Sequence, residues 1–263
     1  MRPYFAIFRA RFSALLQYRA AAFAGLLTQI FWGFLRIMVL EAFYKSSTNT
    51  QPMSIEAVRD YIWLGQAMLG MIPWNIEPEI RPMIQTGSVS YELVRPVDFH
   101  ALWYARHAAR RLAPTLLRAI PMLILAGLFF GLHLPASPAA AAAWAASTTA
   151  AVLLAAAIST VMAAGLLWTV SGEGIYSLTF AVATICSGMV IPLPLFPDWA
   201  QPVLNFLPFR GLADVPFRLY AGNIPATDAL PLVLHSALWT AALFGLGKYM
   251  CNRGLARLAV NGG

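Results

Sequence analysis

Side chains that could carry out chemistry are few in this chain and widely scattered. His100 and His107 lie seven residues apart on either side of Trp103, with no carboxylate or cysteine at metal-ligand spacing beside them. His133 and His235 stand alone, and no Ser-His-Asp or paired-carboxylate arrangement can be assembled from the sparse polar positions. Cys186 and Cys251 sit within or at the edge of apolar runs and read as small buried hydrophobes. The segment Gly245-Leu246-Gly247-Lys248-Tyr249 has neither the spacing nor the hydroxyl of a phosphate-binding loop. Hydrolysis of a nucleotide therefore has no machinery in this sequence.

Charge is the more informative signal. Arg36 falls deep inside an apolar run, with Glu41 five residues on. An intramembrane arginine costs roughly 2.5–3.5 kcal/mol at a helix centre, so it either lines a path or subunit interface or snorkels to the headgroups. Arg118 lies nearer the edge of its run, where snorkelling is the simpler reading. Residues 87–98 combine Gly87, Ser88, Tyr91, Glu92, Leu93, Arg95, Pro96 and Asp98. Gly87 permits a tight turn and Pro96 disfavours a helical Arg95, which bounds a short folded element on both sides.

Six apolar runs must position these groups: 22–44, 60–76, 112–133, 140–168, 175–196 and 229–251. A bilayer core is ~30 Å thick and needs ~20 apolar helical residues. With 263 residues, 59% hydrophobic and 11% charged, the chain reads as one all-α membrane domain, 1–263, of six transmembrane helices. A mean hydropathy of +0.65 excludes a nucleic-acid module despite the net charge of +7 and pI near 9.8. Basic residues concentrate in cytoplasmic loops. Cytoplasmic N- and C-termini place twelve of the 18 inside, including Arg257, and four outside: Lys45, Arg59, Arg210 and Arg218. The N-terminal arginines are too spread for a signal peptide, so the segment is expected to be retained.

Residues 1–20 precede the first run. Tyr4, Phe8, Phe12 and Leu15 share one helical face, with Arg2, Arg9 and Ser13 opposite, as in an interfacial amphipathic helix. The alanines of the fourth run suit close helix packing. Between the second and third runs, residues 77–111 are far longer than a simple bridge of about 2–8 residues, which predicts a cytoplasmic docking surface. Between the last two runs, residues 192–228 carry Pro192, Pro194, Pro197, Pro202, Pro208, Pro216 and Pro225 among Trp199, Phe206 and Phe209. Proline forbids a continuous span while the aromatics seek burial. Short re-entrant external helices satisfy both demands; an amphipathic loop on the outer surface is the alternative.

The order of these features resembles the permease subunits of type-2 ATP-binding-cassette exporters over nearly the whole chain. The sharpest local match runs from Gly87 through Leu93 to Arg95-Pro96, followed by the proline-rich segment. The resemblance implies a coupling helix at 88–96 seated on an ATPase subunit, with Arg9 and Arg11 touching the same partner. It places a smaller contact at Ser171-Gly172-Glu173-Gly174, where Glu173 either pairs with the ATPase or stays solvated. Pro192, Pro194, Pro197, Trp199, Phe206, Pro208 and Phe209 would form an external gate. Implied with these are two ATPase subunits that bind ATP and Mg, a second permease (the same or a related chain), membrane lipids and a small-molecule cargo. This chain itself needs no cofactor and is no enzyme. Residence in a bacterial inner membrane and efflux of hydrophobic or amphiphilic, drug-like cargo by alternating access follow. Export of a polysaccharide or lipid-linked glycan and an intramembrane lipid-modifying enzyme are the alternatives.

Overall fold

Long apolar runs become helices here, and among the described residues no strand forms. The computed structural model describes residues 2–17, 19–48, 50–169 and 172–256; Ser171 and Arg257, both used in the sequence reading, lie outside them. Helices α1 (Arg2–Leu15), α2 (Arg19–Ser46) and α3 (Ile55–Ala67) are followed by two short ones, α4 (Ile80–Gln85) and α5 (Ser90–Leu93). Two long helices come next, α6 (Phe99–Phe129) and α7 (Pro138–Gly165). Then α8 (Glu173–Cys186) leads through α9 (Gln201–Phe206) and α10 (Asp214–Tyr220) to α11 (Ala229–Leu255).

Four stretches are long and apolar enough to cross a bilayer: Phe23–Ser46, Phe99–Phe129, Pro138–Gly165 and Ala226–Leu255. The runs 60–76 and 175–196 depart from the expected full-length helices. Helix α3 has 13 residues and α8 has 14, about 20 Å each at 1.5 Å per residue. The causes are local. Beyond α3 the chain tightens into a 3-10 turn at Leu69–Met71 and meets Pro73. Beyond α8, Gly188 adopts a φ of +82°, and Pro192 and Pro194 follow.

Helix α7 is the centre of the bundle. Of its apolar window 78% is buried, against 17% for α2 and 11% for the last span. Its alanines let α6, α10 and α11 lie close against it. The broad apolar faces of α2 and α11, with Phe23, Leu27, Phe31, Leu230 and Leu238, remain exposed. Such faces need lipid or another protein over them.

Helix α6 begins earlier than the third run suggested. Asp98 caps it, its side chain accepting from the Ala101 N–H at 2.8 Å. Arg106, Arg110 and Arg111 consequently belong to α6 and not to the preceding loop. Arg111 is buried, donating to the Ile72 carbonyl at 3.0 Å, to the Asn75 carbonyl and to Ser159 Oγ at 3.0 Å. It thereby clamps α6, the segment after α3 and α7 together. The face of α1 holding Tyr4, Ile7, Phe8, Arg11 and Phe12 is half-buried, and α1 packs on α6. Phe8 stacks on Phe12 at 5.7 Å, and the Tyr4 hydroxyl accepts from the Asp98 N–H at 2.9 Å.

Candidate coupling face, ligand cavity and short-helix region

Gly87, at φ +73°, turns the chain between α4 and α5. Thr86 and Ser88 close the turn through their hydroxyls at 2.9 Å, and Ser90 Oγ donates to the Gly87 carbonyl at 2.9 Å. Beyond it the side chains divide. Tyr91, Leu93, Val94, Arg95 and Pro96 are exposed, whereas Glu92 is buried. Tyr91 and Val94 are 74% and 82% exposed among the described residues, leaving large apolar surface at the tip.

Glu92 points inward instead of outward. It accepts from Trp103 Nε1 at 2.9 Å and from Arg106 Nη1 at 2.5 Å. Arg106 also reaches Glu77 and Glu79, both at 2.7 Å. Arg11 joins the same node, donating to Glu79 at 2.8 Å and pairing with Glu77. The Glu77 oxygens meet both guanidiniums as ion pairs without aligned hydrogen bonds. Burial works against the Glu79 carboxylate, but hydrogen bonds and charge from Arg11 and Arg106 outweigh it and hold its pKa below the ordinary range. Asp98 also stays low. Its burial is outweighed by the Ala101 N–H and by Lys248, 3.0 Å away. These contacts tie α1, the α3–α6 connection, α6 and α11 together beneath the tip.

Of the other candidate coupling residues, Arg9 is exposed on α1. Glu173, at the start of α8, is exposed and pairs with Arg81 at 3.2 Å. Gly172 before it has φ +65°, which only glycine adopts without strain. Glu173 is thus joined to the α4 side of the connection within the chain itself.

A cavity of about 570 Å³ opens between α2, the end of α3, α6 and α8. Its α2 wall is a single stripe, Gly25, Thr28, Gln29, Trp32 and Arg36, recurring at helical spacing. Arg36 donates to the Met189 carbonyl at 2.9 Å. Arg118 enters from α6 and lies against Gly25, where an added Cβ would sit 3.6 Å from its Cζ. Its guanidinium thus lies beside the cavity wall near the start of α2. Trp74 and Phe180 stack at 5.8 Å on another wall. Sequence reasoning found Arg36 but missed this stripe, although its spacing was legible.

The proline-rich segment forms short helices, with 3-10 turns at Leu193–Leu195, Pro208–Leu212 and Ala226–Asp228 flanking α9 and α10. Pro192, Leu193 and Pro208 are buried, Pro194 and Phe209 half-buried, and Pro197 exposed. Trp199 and Phe206 project, 80% and 68% exposed. The Phe206 carbonyl accepts from Trp239 Nε1 at 3.0 Å, and its ring meets Trp239 edge-on at 5.7 Å. The Asp214 N–H donates to the Ser187 carbonyl at 3.0 Å, joining α10 to the end of α8. The segment is anchored by α7 and α11 and reaches the end of the cavity wall near Met189.

Two comparisons with known proteins bear on this arrangement. A family model described as "ABC-2 family transporter protein" matches residues 30–262. A search of curated proteins finds no match.

Proposed function

Because the chain belongs to the ABC-2 transporter family, we propose that it is the permease subunit of an exporter whose ATP hydrolysis takes place in a separate ATPase subunit. The observation that carries this reading is the exposed Tyr91–Leu93–Val94 tip on a base locked by Arg106, Glu77 and Glu92. A tip meant only to bridge helices would not present Tyr91 and Val94 to water. A rigid base passes motion on where a loose loop would absorb it. In this reading α1, the tip and the α8 start face the cytoplasm, and two ATPases carrying ATP and Mg seat the tips of two permeases.

The four long helices would cross the membrane. Helices α3 and α8, extended by the turns that follow them, would supply the fifth and sixth spans, with both termini inside a bacterial inner membrane. The exposed apolar face of α2 would be covered by the second permease, of the same or a related sequence. Cargo would enter the cavity lined by Arg36 and leave past Trp199 and Phe206 on the outer side. Two packings of the dimer, each favoured by a different nucleotide state, would give alternating access. An apolar cavity with a few polar groups suits hydrophobic or amphiphilic small molecules.

Affinity purification of the tagged chain from native membranes tests the reading. The wild type should retain an ATPase subunit. A Tyr91→Asp/Val94→Asp double variant should lose it while inserting normally and eluting as a single species. Retention by the variant would refute the docking role of the tip.

A further inference from the structure

We infer that the cavity between α2, α3, α6 and α8 binds amphiphiles with an anionic headgroup, an inference that rests on its proposed role as the cargo path. Two guanidiniums, Arg36 and Arg118, line one space of about 570 Å³ with no aspartate or glutamate on its walls. Among the described residues neither forms an ion pair. The nearest acid along α2, Glu41, is already held by Arg59 at 2.6 Å. Among the described residues Arg36 makes one hydrogen bond, to a backbone carbonyl, and the buried Nε of Arg118 has no hydrogen-bond partner.

Each guanidinium is expensive to keep in an apolar bundle without a counter-charge. Gly25, beside Arg118, and Arg36 lie about 16 Å apart along α2, so each would take its own anionic group. A carboxylate, sulfate or phosphate supplies that charge, and a planar guanidinium fork can grip it through two parallel hydrogen bonds. Thr184 Oγ1 in the same wall, buried and without a partner among the described residues, adds a hydroxyl that can donate to an oxyanion. Apart from Thr28, Gln29 and Gln66, the rest of the lining is apolar and aromatic. Trp32, Leu69, Ile72 and the stacked Trp74–Phe180 pair suit an alkyl or ring body. The volume lies within the usual ~300–1,000 Å³ of small-molecule sites. A cationic amphiphile would meet two like charges here, and a neutral one would leave both unpaired.

The shared chemistry admits a free amphiphile or an anionic lipid, and binding assays separate them. The full chain is placed in phosphatidylcholine nanodiscs and titrated with laurate, dodecyl phosphate, dodecanol and dodecyltrimethylammonium. Laurate and dodecyl phosphate should bind at least about tenfold more tightly than the other two. Arg36→Gln and Arg118→Gln should each narrow that gap, and the double variant should abolish it. Dodecanol binding should stay constant throughout and thereby report an intact cavity. Arg36→Lys should keep part of the preference. If phosphatidylglycerol nanodiscs suppress dodecyl phosphate binding, the anion held there is a lipid headgroup; if they do not, it is a free amphiphile. Equal binding of dodecyltrimethylammonium or dodecanol by the wild type would overturn the inference. Since no ATPase enters the assay, the two readings fail separately: absence of the anionic preference overturns this inference, whereas a wild-type chain that retains no ATPase on purification refutes only the transporter reading.

Discussion

Replacing Arg106 with methionine should release the lead-in helix and the coupling tip from the rest of the bundle. Methionine keeps an apolar stem but removes the one guanidinium that reaches Glu77, Glu79 and Glu92, at 2.7, 2.7 and 2.5 Å. The side chains of Glu77 and Glu92 are 0% and 9% exposed, so water cannot take over the lost role. Removing one partner of a buried ion pair costs about 3–5 kcal/mol. The lower end, about 3 kcal/mol, is expected because Arg11 still holds Glu77 and Trp103 still donates to Glu92. At 1.4 kcal/mol per factor of ten, that is on the order of 100-fold in the local opening equilibrium. Hydrogen–deuterium exchange in nanodiscs measures it directly, as faster exchange in α1 and residues 80–93. Arg81→Met supplies the comparison. Its pair with Glu173 is 37% and 72% exposed and contributes about 0–1 kcal/mol at most. Equal exchange in the two variants, or unchanged exchange in Arg106→Met, would refute the idea that this buried node holds the tip.

Gly33→Ala and Gly245→Ala should move thermal stability in opposite directions in one detergent. A Cβ at Gly33 would lie 2.4 Å from Cζ3 of the buried Trp63, whose ring stacks on Phe130, so a loss of about 1–3 kcal/mol is expected. Gly245 has open space within 4 Å, and alanine there should gain about 0.5–1 kcal/mol of helix stability. Asp98 has a folded pKa held below its ordinary 3.8, so its contribution is present above that value and fades as pH falls through the lowered one. Exchange at the first turn of α6 should therefore stay slow down to about pH 4 and quicken below it, and Asp98→Asn should flatten that dependence. Cysteines at Trp199 and Phe206 should change their labelling rates between nucleotide-free and ATP-trapped complexes. Identical rates would favour an inert surface segment.

Apolar length and local signals carried much of the architecture. The four long helices follow directly from runs that match bilayer thickness, and the order of motifs pointed to the family that the match over residues 30–262 shows. The turn at Gly87 and the breaks at Pro192 and Pro194 were also legible, because glycine and proline act within a residue or two. Long-range pairing was not. Glu92 looked like an outward-facing docking residue because its partner, Arg106, lies 14 positions away on a helix whose start depends on the Asp98 cap. That Arg118 lines a cavity was not legible, because nothing local shows that Gly25 of α2 leaves room for its guanidinium. The run 60–76 looked continuous because its composition stays apolar through the 3-10 turn at Leu69–Met71, where backbone geometry changes before hydropathy does.

ATP-driven uptake into inside-out membrane vesicles tests the division of labour most directly. Vesicles holding this chain together with its ATPase should accumulate dodecyl phosphate only when ATP is supplied. Vesicles holding this chain alone should take up no more than protein-free vesicles, into which the amphiphile partitions unaided, with or without ATP. Movement of cargo by the solitary chain, with or without ATP, would contradict the account.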